Sequence, residues 1–183
     1  RGYAVMQVNF RGSTGYGRKH FKAGNKEWGR NMQNDVTDAV NWAIDQGIAD
    51  KDRVCIYGAS YGGYAVMAGI TFTPDMYKCA VNYVGVTDLE LLWETMPPQW
   101  EIFEEQQKVD IGDPEKDKEL LKARSPLNFV DRIKTPLYIV HGVRDWRVDI
   151  EHARKLRREL EKVGKKEGEA VSYTHLTLPT TLQ

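Results

Sequence analysis

Residues 53–68, Arg53-Val54-Cys55-Ile56-Tyr57-Gly58-Ala59-Ser60-Tyr61-Gly62-Gly63-Tyr64-Ala65-Val66-Met67-Ala68, read as a short strand, a tight glycine turn with serine at its apex, and a helix. A serine hydroxyl is a weak nucleophile on a flexible loop. A strained strand-to-helix turn holds its oxygen clear of the backbone, and the pattern Gly58-x-Ser60-x-Gly62 is the signature of such an elbow. The same pattern also occurs as a purely architectural turn. The apolar, β-branched run before it and the alanine-rich helical stretch after it supply the context that the catalytic reading requires. Gly58 and Gly62 are expected where a β-carbon would collide as the helix folds back beside the strand. Tyr61, next after the serine, is expected to offer its backbone N–H to an oxyanion at the helix N-terminus.

On either side of this stretch, strand-like and helical segments alternate. Strands are expected at 3–9, 53–57, 79–84 and 136–141, with a further candidate at 170–173. Helices are expected at 34–46, 62–72, 115–123 and 149–163. In 34–46, Val36, Ala39, Val40, Ala43 and Ile44 share one face and Gly47 follows as a stop. Apolar strands separated by helices imply an α/β fold, a mostly parallel sheet with helices on both faces. The run of residues 3–9 opens with no turn or cap ahead of it and reads as an element cut into. Gly12-Ser13-Thr14-Gly15-Tyr16-Gly17 lacks both the Gly-Lys-Ser/Thr of a phosphate loop and dinucleotide spacing, so it reads as a structural turn.

The 183 residues suit one domain with a real core. The 26 basic and 26 acidic side chains leave no net field to attract nucleic acid or an anionic membrane. No apolar run approaches a membrane span, and no signal peptide is visible, so compartment is left open. Cys55 and Cys79 read as small strand residues, with neither a disulfide framework nor metal-ligand spacing. No metal or organic cofactor is implied.

If Ser60 is a nucleophile, it needs an imidazole to take its proton and a carboxylate to hold that imidazole. On this kind of sheet the chain order is Ser, then Asp or Glu, then His. Asp145 lies just past the strand ending at His141, at the edge where open α/β sheets place ligands. Asp149 is a rival by proximity but is explained as a helix cap. His20 and His141 precede Asp145, and His152 lies in the following helix, so all three read as structural or surface residues. His175 alone has the expected order. Its surroundings argue against it, because 171–183 contains no charged residue and is crowded with Thr and Leu.

Together these residues resemble the catalytic domain of the prolyl oligopeptidase family of serine peptidases, an α/β-hydrolase fold. The resemblance covers most of 1–165. It is carried by Gly2-Tyr3-Ala4-Val5, Asn9-Phe10-Arg11-Gly12-Ser13-Thr14-Gly15-Tyr16-Gly17, Trp28-Gly29, the Ser60 elbow, and His141-Gly142 followed by Asp145 and Arg147-Val148. It implies Ser60 as nucleophile and Asp145 as the acid. It also implies Arg147 as a ligand for a substrate backbone carbonyl, and Val148 with Val86 as walls of an apolar pocket for the side chain before the cut. The family's earlier strands, its oxyanion segment of His-Gly-Gly-Pro type and its N-terminal β-propeller have no counterpart in these residues. The family's base sits in a Gly-His-Gly context, where this chain has Tyr173-Thr174-His175-Leu176, a string similar to translated sequencing adapter. Residues 1–169 are accordingly expected to be a partial hydrolase domain, and 170–183 a non-native tail with the true histidine outside it. An esterase on the same fold, and a non-catalytic α/β module keeping the elbow as a relic, are the competing readings.

Overall fold

The computed structural model describes residues 2–165 and the backbone of the strand Ala170–Tyr173. Four parallel strands, β1 (Cys55–Ala59), β2 (Cys79–Tyr83), β3 (Leu137–Val140) and β4 (Ala170–Tyr173), stand side by side in chain order. Parallel neighbours need crossovers, so each connection returns to the opposite end and all four carboxyl ends share one edge. The crossovers and the segment before β1 carry helices α1 (Arg18–Lys22), α2 (Asn31–Asp45), α3 (Tyr61–Phe72), α4 (Leu89–Glu94), α5 (Glu104–Asp110), α6 (Lys118–Arg124) and α7 (Glu151–Lys162).

One sheet face carries Ile56, Ala80, Leu137 and Ile139. It packs on Val66, Met67 and Ile70 of α3 and on Leu156 and Leu160 of α7. The other side of α3 supplies Tyr64 and Ala68 to a second apolar cluster with Val86, Leu89, Ile111 and Val148. A helix packed on opposite sides needs small residues and no polar stripe, which is why α3 is rich in Gly and Ala. α2 ends as its sequence predicts. Gly47 takes φ 70° while its N–H and that of Ile48 donate to the carbonyls of Ile44 and Ala43, closing a Schellman turn.

Three expectations are corrected. Residues 3–9 form no strand, and Tyr3 and Val5 are 87% and 92% exposed; β-propensity does not make a strand without a pairing edge. Cys55 and Cys79 are disulfide-bonded, because the β1–β2 register sets them directly opposite with Cα atoms 4.7 Å apart. β1 also begins and ends two residues later than expected. Lys51–Arg53 is a short 3-10 turn, and pairing continues through Gly58 to Ala59.

His152 of α7 is fully buried. Its Nδ1 accepts the Thr87 N–H at 3.2 Å, and burial pushes its pKa down to about 4. The groups around it are Asp88, His141, Asp149 and Lys155. Burial alone would raise the Asp88 carboxyl. The Lys155 ammonium, at 2.6 Å, and the Leu91 and Glu90 amides instead hold it below its ordinary value. An unfolded His152 takes a proton near pH 6.5, whereas the native one resists until about pH 4. Stability from this residue is therefore complete above about pH 6.5 and declines as the pH falls toward 4, by on the order of 3 kcal/mol. Chemical denaturation across that window should show this slope, and His152→Asn, which keeps an acceptor near Nδ1 but cannot titrate there, should flatten it. An unchanged slope in the variant would assign the acid sensitivity elsewhere.

Candidate active site

Ser60 directly follows β1 at the carboxyl edge, with φ 56° and ψ −118°. Left-handed φ is costly for a residue with a β-carbon and persists only where surrounding bonds enforce it. Those bonds are present. The Ser60 N–H donates to the Tyr83 carbonyl at 3.0 Å, extending the β1–β2 pairing, and the Ser60 carbonyl accepts the Tyr64 N–H at 3.1 Å, opening α3. The side chain is exposed and makes no capping bond to the helix, so the hydroxyl is not spent on structure.

Gly58 is required sterically, since a β-carbon there would collide with the backbone of Gly62. Gly62 itself faces open space, which corrects the expectation for it. The second tight position is Gly63, where a β-carbon would lie 2.5 Å from Gly85 Cα and 2.6 Å from Asn82 Oδ1. The elbow thus depends on α3 pressing against β1 through Gly58 and against the β2 exit through Gly63.

Tyr61 opens α3. Its ring packs on Phe10 and edge-on against Trp28, at centroid distances of 5.2 and 4.5 Å, and burial pushes its phenol well above the ordinary value. Phe10 belongs to the loop that is pinned by Arg11. The Arg11 guanidinium grips Asp35 of α2 with Nε at 2.8 Å and Nη2 at 2.6 Å, and those bonds lower the Asp35 carboxyl. The glycine loop that follows is a turn, as expected, with Ser13 N–H on the Phe10 carbonyl, and Gly12 reaches the cavity wall.

A cavity of about 320 Å³ opens beside Ser60 and Tyr61, walled by Val86, Val148, Trp28 and Ile111 among others. Val86 and Val148 are 3% exposed, so the two valines singled out from the sequence do face one apolar space. The wall contributed by Leu92, Trp100, Gln107 and Asp110 was not anticipated. It comes from the crossover between β2 and β3, where short helices and 3-10 turns show no sustained periodicity.

Asp145 lies on the loop after β3, at the same sheet edge as Ser60 with only β2 between their strands. Two strand spacings are roughly 10 Å, a gap that two side chains and one imidazole can span. The half-buried carboxylate caps its own turn, with Oδ1 accepting the N–H groups of Arg147 at 2.9 Å and Val148 at 3.0 Å. Arg147 is exposed. Its guanidinium lies over the Trp146 ring at 5.0 Å and is not among the groups lining the cavity. Asp149 accepts the Glu151 N–H at 2.8 Å at the start of α7, in keeping with a cap.

The described histidines are engaged in structure. His20 Nε2 contacts the Phe10 carbonyl at 3.0 Å, His141 Nε2 the Val148 carbonyl at 2.8 Å, and His152 accepts from Thr87. His175 lies outside the described residues. Among the described residues no group of three or more His, Cys, Asp or Glu is arranged to hold a metal ion, and no helix is long and apolar enough to cross a membrane.

A parallel α/β sheet that lifts a strained serine from its carboxyl edge, beside an apolar cavity, has the architecture of the α/β hydrolases. The chain belongs to the prolyl oligopeptidase family, whose model matches residues 1–175. It is 51% identical over 150 residues to dipeptidyl aminopeptidase BIII of Pseudoxanthomonas mexicana, covering 81% of this chain and 22% of that protein. It is 43% identical over 166 residues to dipeptidyl peptidase family member 6 of Caenorhabditis elegans, covering 88% and 22%. Among solved structures, a puromycin-hydrolyzing peptidase of Mycobacterium tuberculosis matches with a TM-score of 0.83 at 30% identity, over 91% of this chain and 24% of that one. The chain thus spans about a fifth of the length of these relatives.

Proposed function

We propose that the protein containing this chain is a serine peptidase that hydrolyses peptide bonds through an acyl-enzyme. The observation that carries this reading is the φ of 56° at Ser60, enforced from both sides, with a hydroxyl left free of capping beside an apolar cavity. Ser60 Oγ attacks the scissile carbonyl while a histidine takes its proton. The bond between carbonyl carbon and amine then breaks, with that proton passing to the leaving amine, and water hydrolyses the ester by the reverse sequence. Asp145 orients the histidine, and the Tyr61 N–H at the start of α3 stabilises the oxyanion. Val86 and Val148 hold the side chain before the cut. Arg147 swings from Trp146 to bind a substrate backbone carbonyl. Substrates are peptides, which fits relatives named as dipeptidyl peptidases and aminopeptidases.

The 183-residue chain alone is nearly inactive in this reading, because each described histidine is committed elsewhere and general-base help is worth roughly 100- to 10,000-fold. The test compares the isolated chain with a full-length protein on short peptide amides and aryl esters. The full-length protein should hydrolyse both, and the isolated chain neither. Ester hydrolysis without amide hydrolysis would favour an esterase, and an active isolated chain that loses activity on His175→Ala would make His175 the base.

A further inference from the structure

We propose that His141 is a positioning residue, holding the loop of Asp145 and the cavity wall at Val148 in fixed relation to the sheet edge that carries Ser60; this rests on the peptidase reading above. His141 directly follows β3, and its ring is 1% exposed. Its Nε2–H donates at 2.8 Å to the carbonyl of Val148, seven residues on, and so closes the loop on itself at its base. Between these ends the residues are half-buried or exposed, with Val143 and Trp146 at 45% and 59%. Packing therefore does little to hold the loop, and hydrogen bonds must do it.

Inside the loop, the Asp145 N–H donates to the Gly142 carbonyl at 3.1 Å, and Asp145 Oδ1 accepts the N–H groups of Arg147 and Val148. Val148 is thus held on two sides, its N–H by Asp145 and its carbonyl by His141. The two bonds fix its backbone, and with it the direction in which the side chain meets the cavity. Through the same chain of bonds, the carboxylate of Asp145 is tied to a buried ring at the end of β3. Burial lowers the His141 pKa, so the ring stays neutral, with its proton on the nitrogen that faces the Val148 carbonyl. The loss of this donor leaves a buried carbonyl unpaired and frees the loop to shift, and a displacement of about 1 Å in a catalytic array costs about 100-fold in rate.

Three variants of the full-length protein separate this from a volume-filling role. His141→Gln retains an N–H donor near the Nε2 position, His141→Asn is polar but too short, and His141→Phe fills the space without a donor. With peptide amides, Asn and Phe should lower kcat roughly 10- to 100-fold and raise KM for substrates with a bulky apolar residue before the cut, whereas Gln should stay within about threefold of the parent. Retention of parental kcat and KM in both Asn and Phe overturns the proposal. So does a Gln variant that is as impaired as Phe or fails to fold, since the donor alone should suffice. Asp145→Asn in the same assay separates the two readings. Full activity there removes the acid assignment, whereas a loss there beside fully active Asn and Phe variants at 141 removes only the clamp.

Discussion

Replacing Ser60 by alanine in a full-length protein containing this chain is expected to lower kcat for peptide amides about a million-fold while KM changes little, because substrate binding survives and covalent chemistry does not. The fold should tolerate the change. The Ser60 hydroxyl makes no capping bond, and the backbone bonds to Tyr83 and Tyr64 are independent of the side chain. Ser60→Gly should be as inactive as the alanine variant and at least as stable as the parent, because glycine adopts φ 56° without the roughly 1 to 3 kcal/mol of strain that a β-carbon brings. Initial rates at high enzyme concentration, with thermal melting of each variant, check both statements. Residual hydrolysis within a hundred-fold of the parent would assign the chemistry to another group.

The second large effect is expected at Asp145. Asp145→Asn keeps an oxygen able to accept the Arg147 and Val148 N–H groups, so the loop turn should survive. What it loses is the negative charge that holds a histidine in the working tautomer and stabilises its protonated form. A loss of about 10,000-fold in kcat is expected, with KM and melting temperature near parental values. A fall in KM-dependent binding alone, with kcat intact, would make Asp145 a structural cap and move the acid elsewhere.

The elbow was legible because each of its parts has a local cause. A β-branched run, a glycine that must lack a β-carbon at Gly58 and an alanine-rich helix are all visible in 16 consecutive residues. The placement of Asp145 followed from topology alone, since in parallel strands a residue just past a strand lands at the carboxyl edge. Features that depend on which elements become neighbours were not legible. The Cys55–Cys79 bond needs β1 and β2 adjacent and in register across a separation of 24 residues, and neither condition is written around either cysteine. Residues 3–9 show the converse, with strand composition but no pairing among the described residues. Trp100 and Ile111 reach the cavity from short, irregular elements whose placement is decided by tertiary packing, so no period in the sequence points to them.

An activated nucleophile at Ser60 can be trapped covalently. A fluorophosphonate reacts with a serine whose hydroxyl is activated, and digestion of the labelled full-length protein identifies the modified residue. One phosphonyl group per chain is expected, carried by Ser60 Oγ on the peptide spanning the elbow, with activity lost in proportion to labelling and no label on Ser60→Ala. Inactivation with the adduct on another residue, or undiminished peptide hydrolysis by a protein fully labelled at Ser60, would contradict it.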